Sequence, residues 1–356
     1  MLKKCVVWPL LALNILVCVG FLCAGYSYLL PPLDYPILTL ASYSFPFLAV
    51  GVIGFLLFWL FFKWKYALIS LASLIVGYVP MHKYAPINLP QDEPKEVLKI
   101  ITYNVHCFTS PHIEGDSLNI ALLIDYLKKS DADIICLQEA YEYLDVTAKF
   151  KKEFKYVKAF DIPVTSAAVM CISKYPIEKV ESLDYESKGN LSACYYVRYK
   201  GELLRVVNNH FESLALTPDD KEKFKSYIKG SFENDSSMAG SRRIFSQLKK
   251  ATMQRQPEVE YVANFIGDDA NNTIVLVDFN DTPLSYCHHL IDQKLTDCYA
   301  ACGMLMGYSY VNNGMFVRID HTFCSSDFKP VKCYVDDEAY FSDHFPLITY
   351  LSRSER

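Results

Sequence analysis

The hydrophobic pattern divides the chain near residue 86, with nearly continuous apolar sequence before it and short apolar runs after it. Residues 5–30 and 37–62 form two apolar stretches, each long enough to cross a bilayer, which requires roughly 20 residues. A third stretch, residues 66–81, is shorter and would span only a thin bilayer or a tilted path. A cleaved signal peptide carries one short apolar core, so this succession predicts a permanent membrane region of two to three helices over residues 1–83.

Beyond residue 83, the pattern predicts a linker and then an α/β domain. Residues 84–96 contain three prolines and mixed charges, which is typical of a connecting segment. Residues 97–356 contain short β-branched runs, which predict strands, and two segments with helical periodicity, 117–130 and 242–266. A polar, mobile insertion is predicted at residues 217–241, directly before the second of these helices. Because the strands alternate with helices and also form hairpins, we expect two sheets packed face to face with helices outside.

Polar side chains end several of the apolar runs. Residues 273–277 form the clearest buried strand, and Asp278 and Asn280 follow it directly, ahead of Pro283. Proline cannot continue a central strand, so these groups are expected at the rim of a sheet, where catalytic residues commonly lie. The alternative for this segment alone is an ordinary strand followed by an Asx-type turn. Other runs carry polar residues in the same way, which gives eight candidates: Asn104, Glu139, His210, Asp278, Asn280, Asp320, Asp343 and His344.

Side chains of these types, brought together, favour water attack on a phosphoester. Carboxylates at one rim repel one another unless they are protonated or neutralised by a cation. Mg²⁺ prefers oxygen ligands, with one or two carboxylates completed by water and substrate phosphate. Imidazoles transfer protons near neutral pH, and a neighbouring carboxylate fixes the tautomer and supports the imidazolium form.

Seven segments, in this order, resemble the endonuclease/exonuclease/phosphatase superfamily: LKIITYNVHCF, DIICLQEA, SKYPI, VVNNHFES, VDFNDTP, RIDHTFCS and YFSDHFPL. That superfamily includes DNase I-like nucleases, apurinic-site endonucleases, neutral sphingomyelinases and inositol-polyphosphate phosphatases. Each segment alone is weak, but seven in order are specific, and together they cover residues 97–351. The resemblance implies a DNase I-like two-sheet sandwich flanked by helices, here preceded by transmembrane helices.

The resemblance also implies a metal site. Glu139 would be the main ligand of Mg²⁺, with Mn²⁺ as an alternative, and Asn104 and Asp343 would complete the metal side. Whether one or two metal ions act is left open.

The catalytic roles implied by the resemblance fall on five residues. His344 would be the general base or a phosphate-polarising group, paired with Asp320. Asp278 would orient the attacking water, Asn280 would hold a phosphate oxygen, and His210 would stabilise the transition state.

Two positions depart from the family pattern. Val277 stands where the family usually has glycine before the Asp of the GDFN-type motif, so it is expected to narrow or reshape the pocket. His321 replaces the common aromatic residue of the RIDYI segment and is interpreted as a packed neighbour.

Charge bears on the substrate class. The chain has 35 basic and 40 acidic residues, of which residues 1–86 hold five and one, so a net charge of −9 remains after Pro86. Nonspecific DNA binding depends on Lys and Arg neutralising phosphates, so a nucleic acid partner is possible but not favoured. The basic residues of 242–255 are interpreted as a solvated helix face. A bilayer partner and a small or lipid-linked phosphoester substrate are favoured instead, because tethering raises the effective concentration of lipid phosphodiesters.

Lysine positions predict the orientation in the membrane. Lys3, Lys4, Lys63 and Lys65 flank the apolar stretches, and basic residues stay on the cytoplasmic side. An integral membrane protein with three spans would therefore hold its catalytic domain outside the cytoplasm, and one with two spans would hold it inside. Nine cysteines after residue 86, without paired spacing, are interpreted as small buried hydrophobes and mildly favour a reducing compartment.

Three functions follow from these observations. The first is a membrane-anchored, Mg²⁺-dependent phosphoester hydrolase of the phosphodiesterase type, and its alternative is an endonuclease or exonuclease acting on DNA or RNA. A catalytically inactive binding domain is disfavoured by the intact polar set. A transporter is disfavoured because the apolar stretches carry no charge at mid-membrane depth.

Overall fold

The computed structural model describes residues 2–91, 94, 96–141, 143, 145–162, 167–187, 189–214, 235–268, 270–312 and 315–354. Its N-terminal helices are α1 (Leu2–Gly25), α2 (Phe45–Phe62), α3 (Trp64–Val76) and α4 (Tyr78–Tyr84), with 3-10 turns at Ser27–Leu29 and Thr39–Ser44. Two segments, Val6–Gly25 and Thr39–Phe62, are long and apolar enough to cross a membrane. The third predicted stretch forms the pair α3–α4, which is bent by 61°.

Two apolar clusters hold the helical bundle together, one at each end. Leu11 of α1 and Trp59 of α2 belong to the cluster at the end away from the strands. Phe21 and Phe45 belong to the other cluster, which also contains Leu284 from the C-terminal domain. The bundle therefore packs directly on the domain at the end where α1 finishes and α2 begins.

Small and polar residues let the helices approach closely. Gly77 lies at the bend between α3 and α4, where a Cβ would overlap the Phe21 ring, so a larger residue would force the helices apart. Within the bundle, the Ser70 hydroxyl donates a 2.9 Å hydrogen bond to the Asn14 side-chain oxygen, and both residues are buried. This bond joins α1 to α3.

The described residues of the domain form fourteen strands and five further helices. The helices are α5 (Asp116–Lys129), α6 (Val146–Glu153), α7 (Asp235–Ile266), α8 (Tyr286–Asp292) and α9 (Cys298–Cys302), with a 3-10 turn at His106–Phe108. The strands are β1 (Leu98–Asn104), β2 (Ile134–Gln138), β3 (Tyr156–Ile162), β4 (Ala167–Ser173), β5 (Ile177–Leu183), β6 (Leu191–Tyr199), β7 (Glu202–His210), β8 (Thr273–Asp278), β9 (Thr296–Asp297), β10 (Tyr310–Asn312), β11 (Met315–Val317), β12 (Asp320–Cys324), β13 (Phe328–Val335) and β14 (Leu347–Arg353).

Two six-stranded sheets form the body of the domain. The first has the order β13-β14-β1-β2-β4-β3, the second has the order β5-β6-β7-β8-β12-β9, and β10-β11 is a separate hairpin. In the first sheet β1 and β2 are parallel, and in the second β7 and β8 are parallel. The prediction of a two-sheet DNase I-like sandwich flanked by helices is confirmed.

Strand alternation assigns each side chain to one of two faces. In β8, Ile274 and Leu276 belong to the apolar core between the sheets, whereas Val275 and Val277 belong to the core beneath α7 and α8. In β1, Ile100 faces the second sheet and the neighbouring Ile101 faces the core beneath α5 and α6. The end of each strand therefore delivers consecutive residues to opposite sides of its sheet.

Three predicted boundaries were wrong. Asp320, expected at the end of an apolar strand, instead begins β12, and the preceding β11 ends at Val317. The helix expected from residue 242 begins earlier, at Asp235, inside the predicted insertion, while residues 215–234 lie outside the described part of the chain. Asp343 and His344 lie in an irregular segment that precedes β14, not at the end of a strand.

Candidate active site

The polar strand ends share one face of the sandwich. Asn104 in β1, His210 in β7 and Asp278 in β8 have the same strand parity as the residues of the core between the sheets. Asp320 pairs with Asp278 across the β8–β12 ladder, and His210 pairs with Asp278 across β7–β8. The two sheets thus bring these side chains into one cleft at the end of the inter-sheet core.

Two candidates come from turns with unusual backbone conformations. Glu139 directly follows β2 with φ of 51°, and Asn280 follows β8 with φ of 52°. Non-glycine residues rarely adopt positive φ, and such conformations concentrate at functional sites. The turn at Glu139 interrupts the alternation of side chains along β2. The Glu139 side chain therefore lines the cleft instead of pointing towards the core beneath α5 and α6.

Asn104 orients two of the carboxylates. Its side-chain nitrogen donates 2.9 Å hydrogen bonds to Glu139 Oε1 and to Asp278 Oδ2, while its oxygen accepts from the His106 backbone N–H at 2.9 Å. The amide nitrogen therefore faces the carboxylates. In this arrangement Asn104 positions Glu139, and its oxygen is already engaged by the backbone.

His344 forms a buried pair with Asp320, at 2.9 Å between Nδ1 and Oδ2. Its Nε2 lies 3.9 Å from Asp278 Oδ2. Burial lowers the pKa of the imidazole, but the Asp320 and Asp278 carboxylates outweigh burial and raise the pKa to about 10. His344 therefore carries a positive charge at neutral pH in the absence of other cations.

The environment of Asp278 disfavours the charged form of its carboxylate. Burial and the nearby Asp320 charge raise its pKa to about 6, against the lowering effect of His344 and His210. Its Oδ1 accepts from the Asn280 backbone N–H at 2.8 Å, and its Oδ2 lies 3.9 Å from His210 Nε2. A carboxylate with this pKa is a stronger base than an ordinary aspartate and still titrates near the physiological range.

The remaining candidates complete the rim of the cleft. His210 Nε2 lies 3.4 Å from Glu139 Oε1 and 3.3 Å from the Asn280 side-chain nitrogen. Asp343 lies nearby, with its Oδ1 3.7 Å from His106 Nδ1. All eight sequence-predicted residues therefore lie in this one region.

A cavity of about 790 Å³ opens from this cleft. Its polar end is lined by Glu139, Asn280, Asp343 and His344. Among the residues that the structure describes, no lysine or arginine lines it. Carboxylates gathered without a lysine or arginine fit a hard divalent cation, and Glu139 and Asp343 supply the oxygen donors that Mg²⁺ prefers.

The clusters of potential metal-ligand atoms in the structure differ from the set of metal ligands that the sequence predicted. Two buried groups each place three ligand atoms within 4.8 Å: Asp278, Asp320 and His344, termed here the cleft cluster, and His288, Asp297 and His321, termed the sealed cluster. Glu139 and Asp343 belong to neither. A cation on the Glu139 side would sit beside the cleft cluster rather than replace it.

Val277 and His321, the two positions that depart from the family pattern, both lie on the outer side of the second sheet. Val277 is fully buried beneath α7 and α8 and does not line the cavity, so the expected narrowing of the pocket was wrong. His321 pairs with Val277 across the ladder and points to the same outer side, where it packs on Phe279. His288, on the same outer side, lies 2.9 Å from Asp297.

A supporting polar layer lies directly beneath the cleft and was not predicted. Gln138 Nε2 donates to Thr102 Oγ1 at 2.9 Å and to Asn208 Oδ1 at 2.6 Å, and Asn208 donates to the Leu137 carbonyl at 3.0 Å. This layer ties the two sheets together. The signal was present in the sequence, because Asn208 lies two residues before His210 and so shares its face of β7.

The loop after Asp278 is fixed by a second network that reaches the membrane helices. Asp281 forms a buried ion pair with Arg255 of α7 and accepts a 2.9 Å hydrogen bond from the Tyr43 hydroxyl, which precedes α2. Arg255 is therefore not part of the solvated basic face expected for residues 242–255. The loop after Asp278 is therefore held by residues from both regions of the chain.

A two-sheet sandwich with this cleft places the chain in the DNase I-like class of folds. The sequence profile of the Endonuclease/Exonuclease/phosphatase family matches residues 101–344, more than half of the chain, and the chain belongs to this family. Residues 4–84 match a second family, described as a domain of unknown function. No curated protein matches the sequence.

Solved structures share the fold at low sequence identity. The human Nocturnin catalytic domain with bound sulfate anion superposes with a TM-score of 0.52 at 12% identity, covering 75% of this chain and 96% of that one. An endonuclease/exonuclease/phosphatase from Beutenbergia cavernae gives 0.50 at 15% identity, covering 73% and 72%. D. rerio TDP2 complexed with single-strand DNA product gives 0.49 at 15% identity, covering 72% and 100%. The first two of these likenesses show the fold.

Proposed function

We propose that the protein is a membrane-anchored phosphoester hydrolase of the phosphodiesterase type that depends on a divalent cation, Mg²⁺ or Mn²⁺. The observation that carries this proposal is the cleft cluster, in which His344 lies between two buried aspartates at the polar end of a cavity. Glu139 and Asp343 would hold the cation, with Asn104 orienting Glu139. The bound cation would neutralise the carboxylates and polarise the phosphate.

The raised pKa values favour different catalytic roles for Asp278 and His344. Asp278, with a pKa near 6, is suited to orient the attacking water and accept its proton. His344, protonated and held by Asp320, is suited to the phosphate-polarising role rather than to that of general base. The water oxygen bonds to phosphorus, one P–O ester bond breaks, and the leaving oxygen takes a proton. Asn280 and His210 would contact the phosphate oxygens.

The bundle supports an extracytoplasmic position for the domain. Lys63 and Lys65 flank the α2–α3 junction, at the end of the bundle away from the domain, and α1 begins at that same end. The domain packs at the opposite end, against Phe45 and Leu284. With basic residues on the cytoplasmic side, and α3–α4 returning as a third span, the catalytic domain lies outside the cytoplasm.

A nucleic acid substrate is the second candidate, as expected from the family, and the site favours it less. The described part of the cavity contains no lysine or arginine to neutralise a row of phosphates. Residues of the membrane region, including Tyr43 and Pro46, form one wall of that cavity. These features suit a single phosphoester group approached from the bilayer.

The test uses the full chain in detergent and a soluble phosphodiester, bis(p-nitrophenyl) phosphate. Hydrolysis should require Mg²⁺ or Mn²⁺ and stop with EDTA. Replacement of Glu139→Gln should reduce turnover by about 100-fold or more, as expected when one electrostatic contribution to the transition state is lost. The exposed Glu114→Gln is the matched control and should retain full turnover.

Two outcomes would overturn the proposal. One is hydrolysis that is unaffected by EDTA, and the other is wild-type turnover by Glu139→Gln. Mg²⁺ should also raise the melting temperature of the wild-type and Glu114→Gln chains, and this shift should be lost in Glu139→Gln.

A further inference from the structure

The cavity changes character along its length. Its inner end carries the polar groups of the cleft, whereas its outer part lies between α2 and the domain. From α2 it is lined by Pro46, Val50 and Ile53, which recur at helical spacing and so form one stripe. From the domain it is lined by Leu248 of α7 and Phe316 of β11.

This outer part is apolar and accessible. Val50 is 71% exposed and Ile53 is 39% exposed, although both lie against the mouth of a catalytic cavity. Phe316, on the opposite wall, is 56% exposed. On a membrane-spanning helix such residues would ordinarily face lipid, but Val50 and Ile53 line the cavity, where an apolar part of a ligand can contact them. A soluble polar substrate would make no use of them.

The surroundings of the mouth continue the same surface. Ile87, Leu89, Met304 and Leu305 are all exposed, and the 86–87 segment is joined to residues 304–305 by backbone contacts. The stripe on α2 also continues beyond the cavity through Leu57 and Leu60, which are exposed on a helix apolar enough to cross a membrane. The path from the cleft therefore leads along an apolar wall into the region of the bilayer.

We propose that the stripe formed by Pro46, Val50 and Ile53 is a chain-binding subsite, which holds the apolar chain of a lipid phosphoester while its phosphate lies at Asn280 and His344. This proposal deepens the proposed function and rests on it. The N-terminal region then serves as part of the substrate site as well as an anchor. The volume of about 790 Å³ lies within the range of roughly 300–1,000 Å³ typical of small-molecule sites, which leaves room for a chain segment beside the phosphate.

The experiment uses a series of phosphodiesters that differ only in chain length. Methyl, octyl and hexadecyl p-nitrophenyl phosphate share the same scissile bond and the same leaving group. With the full wild-type chain in detergent micelles and Mg²⁺, kcat/KM should rise with alkyl length. Val50→Trp fills the subsite and should lower kcat/KM for the hexadecyl ester by about tenfold or more, with the methyl ester unchanged within about twofold.

Leu60→Trp is the matched control, because Leu60 lies on the same stripe of α2, is similarly exposed, and lies outside the cavity. It should keep the full dependence on chain length. The proposal is overturned if wild-type rates do not depend on chain length, or if Val50→Trp lowers the rates of all three esters equally. It is also overturned if both tryptophan variants behave like wild type, because the rise would then reflect partitioning into micelles alone. Failure of the proposed function is distinguishable, since the wild-type chain would then hydrolyse none of the three.

Discussion

The cleft cluster and the sealed cluster are both made of aspartate and histidine side chains, and they lie on opposite faces of one strand. Asp320 and His321 are neighbours in β12, and each faces a different side of the sheet. In the cleft cluster two carboxylates surround one imidazole, His344. In the sealed cluster two imidazoles share one carboxylate, Asp297, with His288 at 2.9 Å and His321 at 3.6 Å.

The ratio of carboxylates to imidazoles decides the charge of each histidine. Two aspartates raise the pKa of His344 to about 10 in spite of burial. Burial lowers the pKa of His321 to about 4, and the single shared carboxylate does not offset it. His344 is therefore held charged and His321 neutral at pH 7.

Access separates the clusters as strongly as charge does. His344 lines the cavity, whereas His321 is enclosed by aromatic rings, with centroids of Phe279 at 5.6 Å and Phe323 at 6.0 Å. Asp297 also caps α9 by accepting from the backbone N–H groups of Tyr299 and Ala300. A His–Asp pair is thus a catalytic candidate only where its strand face opens to a substrate.

The largest expected difference is in turnover. His344→Ala removes the charged group at the phosphate and should lower kcat by about 10²–10³-fold, the usual loss when one electrostatic contribution to the transition state is removed. His321→Phe fills the sealed cluster with a ring of similar shape and should leave kcat within about threefold. Steady-state hydrolysis of bis(p-nitrophenyl) phosphate checks both, and melting temperatures verify that each variant is folded. Equal losses in the two variants would contradict the comparison.

A smaller effect is expected in the pH dependence of stability, with opposite signs for the two histidines. The pKa of His321 falls from an ordinary 6.5 to about 4 on folding, so the unfolded chain binds the proton more readily, and stability should fall as pH falls through this window. The loss amounts to about 3 kcal/mol over the full window. The pKa of His344 rises to about 10, so its contribution is present below pH 6.5 and is lost as pH rises towards 10.

Thermal unfolding in EDTA between pH 4 and pH 10 measures both limbs. His321→Phe should flatten the acid limb only, and His344→Gln the alkaline limb only. A flattened alkaline limb in His321→Phe would show that the two clusters are coupled rather than independent.

The smallest effect concerns Val277, which lies on the sealed side of β8 next to catalytic Asp278. Val277→Ala removes two buried methyl groups and should lower the free energy of unfolding by about 1.5 kcal/mol. Turnover should stay within about twofold, because the side chain points away from the cleft. Denaturant unfolding and kcat measured on the same preparation check this, and a change in kcat greater than about tenfold would place Val277 in the pocket after all.

Much of the site could be predicted because strand parity and polar strand ends are local properties. Ile274, Leu276 and Asp278 alternate on one face, so a polar residue at the end of that face was bound to reach the inter-sheet cleft. The same alternation predicts that the side chains of Val277 and His321 point to the outer face of the sheet. The expectation for Val277 misjudged the direction of the side chain, whereas His321 is the packed neighbour that was expected.

Other features could not be found from local pattern. The turn at Glu139 depends on a positive φ that glutamate has no special preference for. Contact between Tyr43 and Asp281 joins positions 238 residues apart, and it exists only because the helical bundle packs on the domain. The apolar stripe of α2 was visible as a span, but its role as a cavity wall required the packed structure.

The packing of Tyr43 on Asp281 and of Phe45 with Leu284 bears on how the enzyme is made. If the protein is the membrane-anchored hydrolase proposed above, a chain whose helices have not yet inserted would lack one wall of its cavity and one anchor of the loop after Asp278. Such a chain would reach the bilayer with its site unfinished, and only insertion would complete it. Assembly would then act as a safeguard, confining hydrolysis to the membrane in which the protein resides.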